Sequence, residues 1–182
     1  MRRRAIGLLA AGLVMVGAVG IAPSSASAVS CGIRWGSLPR SGSAATAGVV
    51  VGVRAGEHAC FDRLVVDIGR AGTGWSVRYV AAVHTQANGR LVPLRGGAFL
   101  EVVVASPTYD PSTGRPTYQP ANTRELVGVS GWRTFRQVAS GGSFEGRSTF
   151  GLGVRARLPF RAFLLGGPGD GARLVIDVAH RW

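Results

Sequence analysis

Three histidines and nine carboxylates are the groups in this chain that could move a proton. His58 and His180 lie beside strand-like segments that also carry Asp62, Asp67 and Asp177, and a His held by a carboxylate is the usual pair for general acid–base work. His84 stands apart from them. Glu57, Glu101, Glu125 and Glu145 could supply the two carboxylates of a glycan hydrolase, but no spacing singles out two of them. A His next to a strand end is more often a structural hydrogen-bonder. Nor does a nucleophile motif accompany these groups. The run Gly141-Gly142-Ser143-Phe144-Glu145-Gly146 lacks the strand–elbow–helix pattern that exposes a catalytic serine, and it reads as the start of a strand. Gly166-Gly167-Pro168-Gly169-Asp170-Gly171 is glycine-rich, yet a strand pattern follows it where a phosphate loop needs a helix N-terminus. A hairpin turn is expected there. Two cysteines and three scattered histidines show no metal-ligand spacing, and no cofactor motif is present.

Charge carries more information. Between Arg133 and Arg161 stand Arg133, Arg136, Arg147, Arg155, Arg157 and Arg161 against a single acid, Glu145. Arg155 and Arg157, at i and i+2, are expected on one face of a strand. Trp132, Phe135, Phe144 and Phe150 are interleaved. The guanidinium fork matches carboxylate and phosphate, and aromatic rings stack on sugars. Two readings stay open. One is a solvated outer face above a phenylalanine core. The other is a binding site for an anionic polymer made of Arg133, Arg136, Arg155, Arg157, Arg161 and Trp132. If those arginines are structural, the proline-rich loop from Tyr109 to Tyr118 is the next candidate.

The elements that must position these groups are strands. Ala47–Arg54, Cys60–Ile68, Trp75–Val83, Leu91–Leu94, Phe99–Ala105, Leu126–Ser130, Thr134–Ala139, Ser143–Val154, Phe160–Leu165 and Ala172–Ala179 are apolar or alternating runs separated by turn residues. Asn88-Gly89 is the dipeptide of a tight hairpin. No segment sustains a 3.6-residue apolar period. The pattern predicts an all-β fold, a largely antiparallel sandwich of about eight to ten strands. Arg63-Leu64-Val65-Val66-Asp67-Ile68 returns almost unchanged as Arg173-Leu174-Val175-Ile176-Asp177-Val178. Each copy places Arg and Asp on one face and a branched aliphatic trio on the other. The echo is either two similar strands or a sign of pseudo-symmetric halves.

Residues 1–28 read as a signal peptide, with Arg2-Arg3-Arg4, an apolar stretch, and Ala26-Ser27-Ala28 as the cleavage site. The 182 residues less these 28 leave 154, enough for one domain with a sizeable core. Removing three arginines takes the formal charge from +12 to +9. Residues 29–46 are expected as a loosely ordered lead-in and 47–182 as a single β domain. Cys31 and Cys60, in an exported chain, are expected to form a disulfide. A loosely matching lipoprotein box ending at Cys31 offers an alternative, a membrane-anchored lipoprotein. The basic excess outside the cell favours anionic wall polymers or an envelope protein as partner, and export argues against nucleic acid.

Three motifs carry a resemblance. They are His58-Ala59-Cys60-Phe61-Asp62-Arg63-Leu64-Val65-Val66-Asp67; then Gly142-Ser143-Phe144-Glu145-Gly146 leading to Gly151-Leu152-Gly153-Val154-Arg155 and Pro159-Phe160-Arg161; and Arg173-Leu174-Val175-Ile176-Asp177-Val178-Ala179-His180. Together they resemble the AMIN-like domain of exported actinobacterial proteins, over roughly residues 31–182. That domain is distantly similar to the AMIN domain found beside cell-wall amidases and secretins, which binds peptidoglycan. The resemblance implies a β-sandwich and an envelope setting, and no reaction; with the charge pattern, the expected function is a non-catalytic module that binds peptidoglycan or another anionic glycan, or an envelope partner. The alternative is an enzyme acting on envelope glycans or peptides through the His and carboxylate groups.

Overall fold

The computed structural model describes residues 31–43, 48–70 and 72–182. The expected signal peptide, residues 1–28, lies outside them. The strands are β1 (Arg40–Gly42), β2 (Val50–Glu57), β3 (Phe61–Ile68), β4 (Trp75–Val80), β5 (Val83–His84), β6 (Leu91–Val92), β7 (Ala98–Val104), β8 (Phe135–Phe144), β9 (Arg147–Val154), β10 (Phe160–Gly166) and β11 (Ala172–Ala179). Every pairing is antiparallel. One sheet has the order β1-β4-β7-β9-β8, a second β10-β11-β3-β2, and β5 and β6 form a small third. The result is an all-β sandwich with no helix among the described residues.

Alternation builds the interior. Leu64, Val66 and Ile68 of β3 and Leu174, Ile176 and Val178 of β11 turn inward, toward Val77, Leu100, Val102, Phe150 and Leu152 of the five-stranded sheet; all eleven are buried. Burying such side chains contributes roughly 1.5–3 kcal/mol each.

The two echoed segments are β3 and β11, and they pair with each other at the centre of the four-stranded sheet. Because they run antiparallel, Arg63 faces Asp177, Asp67 faces Arg173 and Val65 faces Val175. A local two-fold axis therefore passes between the two valines. The Arg of one copy meets the Asp of the other. Arg63 donates from Nε and an Nη to the two Asp177 oxygens at 2.6 and 2.9 Å, and Arg161 adds a third bond at 2.8 Å. Asp177 is fully buried. Asp67 instead takes Arg54 of β2, at 2.8 and 3.0 Å. The outer face of this sheet is thus not a bare solvated surface. Val65 and Val175 are buried on it, bracketed by Arg54 and Phe163 on the neighbouring strands. Long arginine stems cover apolar surface while their heads stay wet.

The segment ahead of β2 joins the two sheets. Cys31 is disulfide-bonded to Cys60, with Cα atoms 5.5 Å apart. A cysteine so bonded has no thiol left for a lipid thioether. Trp35 packs on Phe61 with ring centroids 5.6 Å apart, and the Arg161 guanidinium lies 4.4 Å from the centre of the Trp35 ring. Phe160 donates its N–H to Gly36 O. Residues 40–42, within the stretch expected as a lead-in, then form β1 on the edge of the other sheet.

Several expected elements differ from the observed ones. Leu126–Ser130 is not a strand. Leu126 makes one ladder-like bond to Val138, and Val129 plugs the core. The run Ser143–Val154 is broken by Glu145-Gly146, where both residues have positive φ, 48° and 75°. That is the backbone of a two-residue hairpin whose twist matches its strands, so Gly142–Gly146 spans the end of β8 and its turn, not the start of a strand. At Asn88-Gly89 only the glycine has positive φ. The hairpin is wider, with Thr85 N–H bonded to Arg90 O and Gly89 N–H to Thr85 O. Trp75–Val83 ends at Val80, after which the chain leaves the sheet for β5. Beyond β6 it lies flat across β9, which is free of side chains there. A Cβ on Gly153 would stand 1.9 Å from Arg95 O.

Two stability measurements follow. Asp177→Asn leaves two guanidiniums facing a neutral amide, and urea unfolding is expected to show a loss of about 3 kcal/mol; a loss below about 1 kcal/mol would assign the clamp a minor role. Cys31→Ser with Cys60→Ser opens the loop between residues 31 and 60 and is expected to cost about 3.5 kcal/mol, with a change in tryptophan emission as Trp35 leaves Phe61.

Candidate functional site

At one end of the sandwich four pieces of chain meet: the β2–β3 turn, the approach to β8, the link from β9 to β10, and the residues after β11. Asp62 holds three of them together, and the link joins through Arg155 N–H, which donates to Thr134 O. Asp62 is fully buried, and its Oδ2 accepts the Thr134 and Phe135 N–H groups at 2.8 Å each, while Oδ1 lies 2.8 Å from His180 Nε2. Thr134 donates its hydroxyl to Ala179 O, and His180 N–H donates to Cys60 O. A carboxylate that accepts several bonds replaces the water it has lost.

This pair is the only His–carboxylate contact among the described residues. Its geometry is that of a clamp. The His180 side chain is 9 % exposed, Nε2 is committed to Asp62, and Nδ1 is buried without a partner among the described residues. Neither ring nitrogen opens onto a surface where a substrate could take or give a proton. His58 stacks on Phe61, with centroids 4.6 Å apart, and His84 is exposed on β5. Glu57 completes a trio with Asp62 and His180 whose donor atoms lie within 4.8 Å of one another. Both Asp62 oxygens already carry hydrogen bonds there, and the guanidiniums of Arg133 and Arg155 reach carbonyls of the adjoining residues Ala59 and His180. Such surroundings disfavour a cation.

The arginines expected to form a site divide into two groups. Arg133, Arg155 and Arg157 are exposed and gather at this end. Arg133 donates to Ala59 O at 3.5 Å, Arg155 to His180 O, and Arg157 to the hydroxyl and carbonyl of Ser37 at 3.3 and 3.2 Å. Arg157 also lies over the Tyr79 ring at 5.1 Å, and its carbonyl accepts the indole N–H of Trp182. Arg136 and Arg161 are occupied elsewhere. Arg136 turns back on the carbonyls of Trp132 and Phe135. Arg161 is bound to Asp177 and lies against Trp35, Phe61 and Phe163. Trp132 is half-buried and stacks on Phe135 at 6.0 Å.

Arg155 and Arg157 do not share the face of a strand, as their spacing led one to expect. They lie between the end of β9 at Val154 and the start of β10 at Phe160, in the link that carries the chain from one sheet to the other. Tyr79 fixes that link: its hydroxyl donates to Leu158 O at 2.8 Å and accepts Leu158 N–H at 3.0 Å. Burial pushes this phenol above its ordinary pKa.

Three residues at this end escaped the reading of the sequence. Arg34, Arg181 and Trp182 line a hollow of about 290 Å³ beside Cys31. They are remote in the chain from the arginine run, and only the disulfide and the last strand bring them near it. The Tyr109–Tyr118 loop is a compact excursion, closed by a Tyr109–Pro116 bridge and tied to β2 through Val50. Ser112 holds the Asp110 carboxyl below its usual range by donating two hydrogen bonds to it.

The AMIN-like domain description matches residues 48–180. No curated protein and no solved structure matches the chain. The matched stretch runs from just before β2 to just past β11 and includes both strands of the Arg–Asp echo and the Asp62–His180 clamp, so the chain belongs to the AMIN-like domain family.

Proposed function

We propose that this chain is an exported, non-catalytic module that binds an anionic cell-wall polymer, peptidoglycan or another acidic glycan, through Arg133, Arg155 and Arg157. One observation carries the reading. These three exposed guanidiniums are held in place by neutral carbonyl and hydroxyl groups, and none makes an ion pair among the described residues. A guanidinium has five N–H donors; the one or two used here orient the group and leave the others for a ligand. Five arginines elsewhere in the fold, Arg54, Arg63, Arg78, Arg95 and Arg161, are by contrast neutralised by a carboxylate. Positive charge left uncompensated at one end of a basic protein draws anionic partners.

Family membership supports this reading over that of an envelope hydrolase. So does the sealed state of the Asp62–His180 pair, the acid–base candidate of the sequence. The half-buried Trp132 and the exposed Trp182 place aromatic surface beside the charges, as sugar recognition requires.

Sedimentation with purified cell wall tests the proposal. The protein should pellet with the wall at low salt and be released as salt rises, since the screening length shrinks from about 10 Å at 0.1 M to about 3 Å at 1 M. Arg155→Gln with Arg157→Gln should weaken binding and flatten its salt dependence while Tm changes by only a few degrees, the scale of an exposed contact. Unchanged binding with a large fall in Tm would make these arginines structural. Release of soluble fragments from the wall, abolished by His180→Gln, would establish the enzyme instead.

A further inference from the structure

A second concavity lies away from the arginine-rich end. The β5–β6 hairpin folds over the outer face of the five-stranded sheet, seated by Val83 and Val92 on Ala139. Between the hairpin loop and β8 a groove of about 300 Å³ remains. It is walled on one side by residues 85–93 and on the other by Thr123, Arg124 and the stretch from Ala139 to Phe144. We infer that this groove is a subsite for one carboxylated sugar unit, with Arg90 and Arg124 holding the carboxylate.

Three features of the groove point to that ligand. The first is its charge. Arg90 and Arg124 line it, and among the described residues no acid does so and neither guanidinium makes a hydrogen bond or ion pair. Their backbones, by contrast, are fixed. Arg90 N–H is bonded to the side chains of Thr85 and Asn88, while Arg124 N–H is bonded to Asn122 Oδ1 and its carbonyl to Gln137 Nε2. The held backbones fix where the two uncompensated cations enter the groove, and an anion there would neutralise them.

The second feature is the uncharged lining. Gln86 and Thr123 supply amide and hydroxyl groups, and Ser140, whose oxygen accepts Gly142 N–H, keeps its hydroxyl proton to give; these are the partners of sugar hydroxyls. Phe144 is 41 % exposed at the rim, a face on which a sugar ring can rest. The third is bare backbone. The loop from Thr123 to Leu126 covers the edge of β8 only as far as Ser140, through the bonds Leu126 N–H to Val138 O and Ser140 N–H to Thr123 O. Beyond it the register with β9 shifts between Ser140 and Ser143. The bulge leaves Gly142 exposed, with φ 86° and open space where a side chain would stand, so a ligand can approach the main chain closely there, while Gly141 is buried against Thr149 behind it.

The groove lies toward the far end of β8 from the arginine-rich cluster. The groove runs from Ala139, four steps or roughly 13 Å along that strand from Phe135, to Phe144, nine steps or roughly 30 Å from it. Binding in the groove is therefore read from the Gly141 and Gly142 amides and from the groove's own arginines, whereas a polymer reaches both places. The inference deepens the proposed function and rests on it for the choice of a glycan among anions.

Trigalacturonate is the probe, with its fully methyl-esterified form as the neutral control and tetraglutamate as the peptide control. Calorimetry measures affinity, and amide shifts of Gly141 and Gly142 locate the ligand. The acid trisaccharide should bind and move both amides, and the ester should bind at least about tenfold more weakly. Arg90→Gln with Arg124→Gln should reproduce that loss, and Phe144→Ala should weaken binding several-fold. Arg155→Gln with Arg157→Gln should leave the affinity read from the Gly141 and Gly142 shifts within about twofold, as expected for distant sites. Equal binding of acid and ester would overturn the assignment of the two arginines. Tighter binding of tetraglutamate, with shifts along the β8 edge, would make the groove a peptide site. No shift at millimolar trisaccharide, alongside wall sedimentation that still depends on Arg155 and Arg157, would refute the groove and leave the proposed function standing.

Discussion

The pairing of β3 with β11 is the constraint around which this fold is arranged. Two nearly identical strands lie side by side in opposite directions, and that orientation sets the Arg of each copy opposite the Asp of the other, where Arg63 closes on Asp177. The inner faces of the same two strands supply six of the buried aliphatic side chains of the core. Register is therefore specified twice, by apolar burial on one face and by charge on the other. A slip of one residue would bury the charges and expose the aliphatics. Asp177 makes the arrangement costly to disturb, because a buried carboxylate held by two arginines has no solvent to fall back on.

Arginine serves three purposes here, distinguished by what each guanidinium touches. Arg63 and Arg161 neutralise a buried acid and lie against aromatic rings. Arg136 closes a local turn. Arg133, Arg155 and Arg157 bond only to neutral groups of the chain, chiefly its carbonyls, and keep their charge facing outward. Planarity and a permanent charge suit the residue to all three. A basic composition is thus partly architecture and partly surface, and net charge by itself does not separate the two.

The sequence made the all-β class legible because burial on one face of an antiparallel strand writes itself as alternation. Ala172–Ala179 is observed as the alternation predicted it, and Phe61–Ile68 differs by one residue from the expected bound. The hairpin at Glu145-Gly146 was hidden, because Glu is a poor advertisement for positive φ. Leu126–Ser130 misled for another reason: a loop that plugs a core edge is as apolar as a strand. The arginine run was visible as composition, but the separation of Arg161 from Arg155 and Arg157 was not. It depends on Asp177, which is adjacent only after β10 and β11 pair. Arg34 and Trp182 join the same end through contacts that no local pattern announces.

The flat crossing of the chain over β9 has an evolutionary consequence. Gly153 faces a carbonyl so closely that no side chain fits, and at Gly151 a Cβ would stand 2.7 Å from Leu94. Gly153 is closed to variation, because any replacement would lift the hairpin that roofs the sheet, whereas at Gly151 the tip of Leu94 can turn aside. The loop from Thr85 to Arg90, at the far end of that hairpin, is restricted only at Gly89, by its positive φ, and at Thr85 and Asn88, which hold Arg90 N–H; Gln86, Ala87 and the Arg90 side chain are exposed and pack against nothing in the core. One short stretch of chain is thus pinned at its base and looser at its tip. Descendants of this sequence can rewrite what the groove presents while inheriting the same scaffold unaltered.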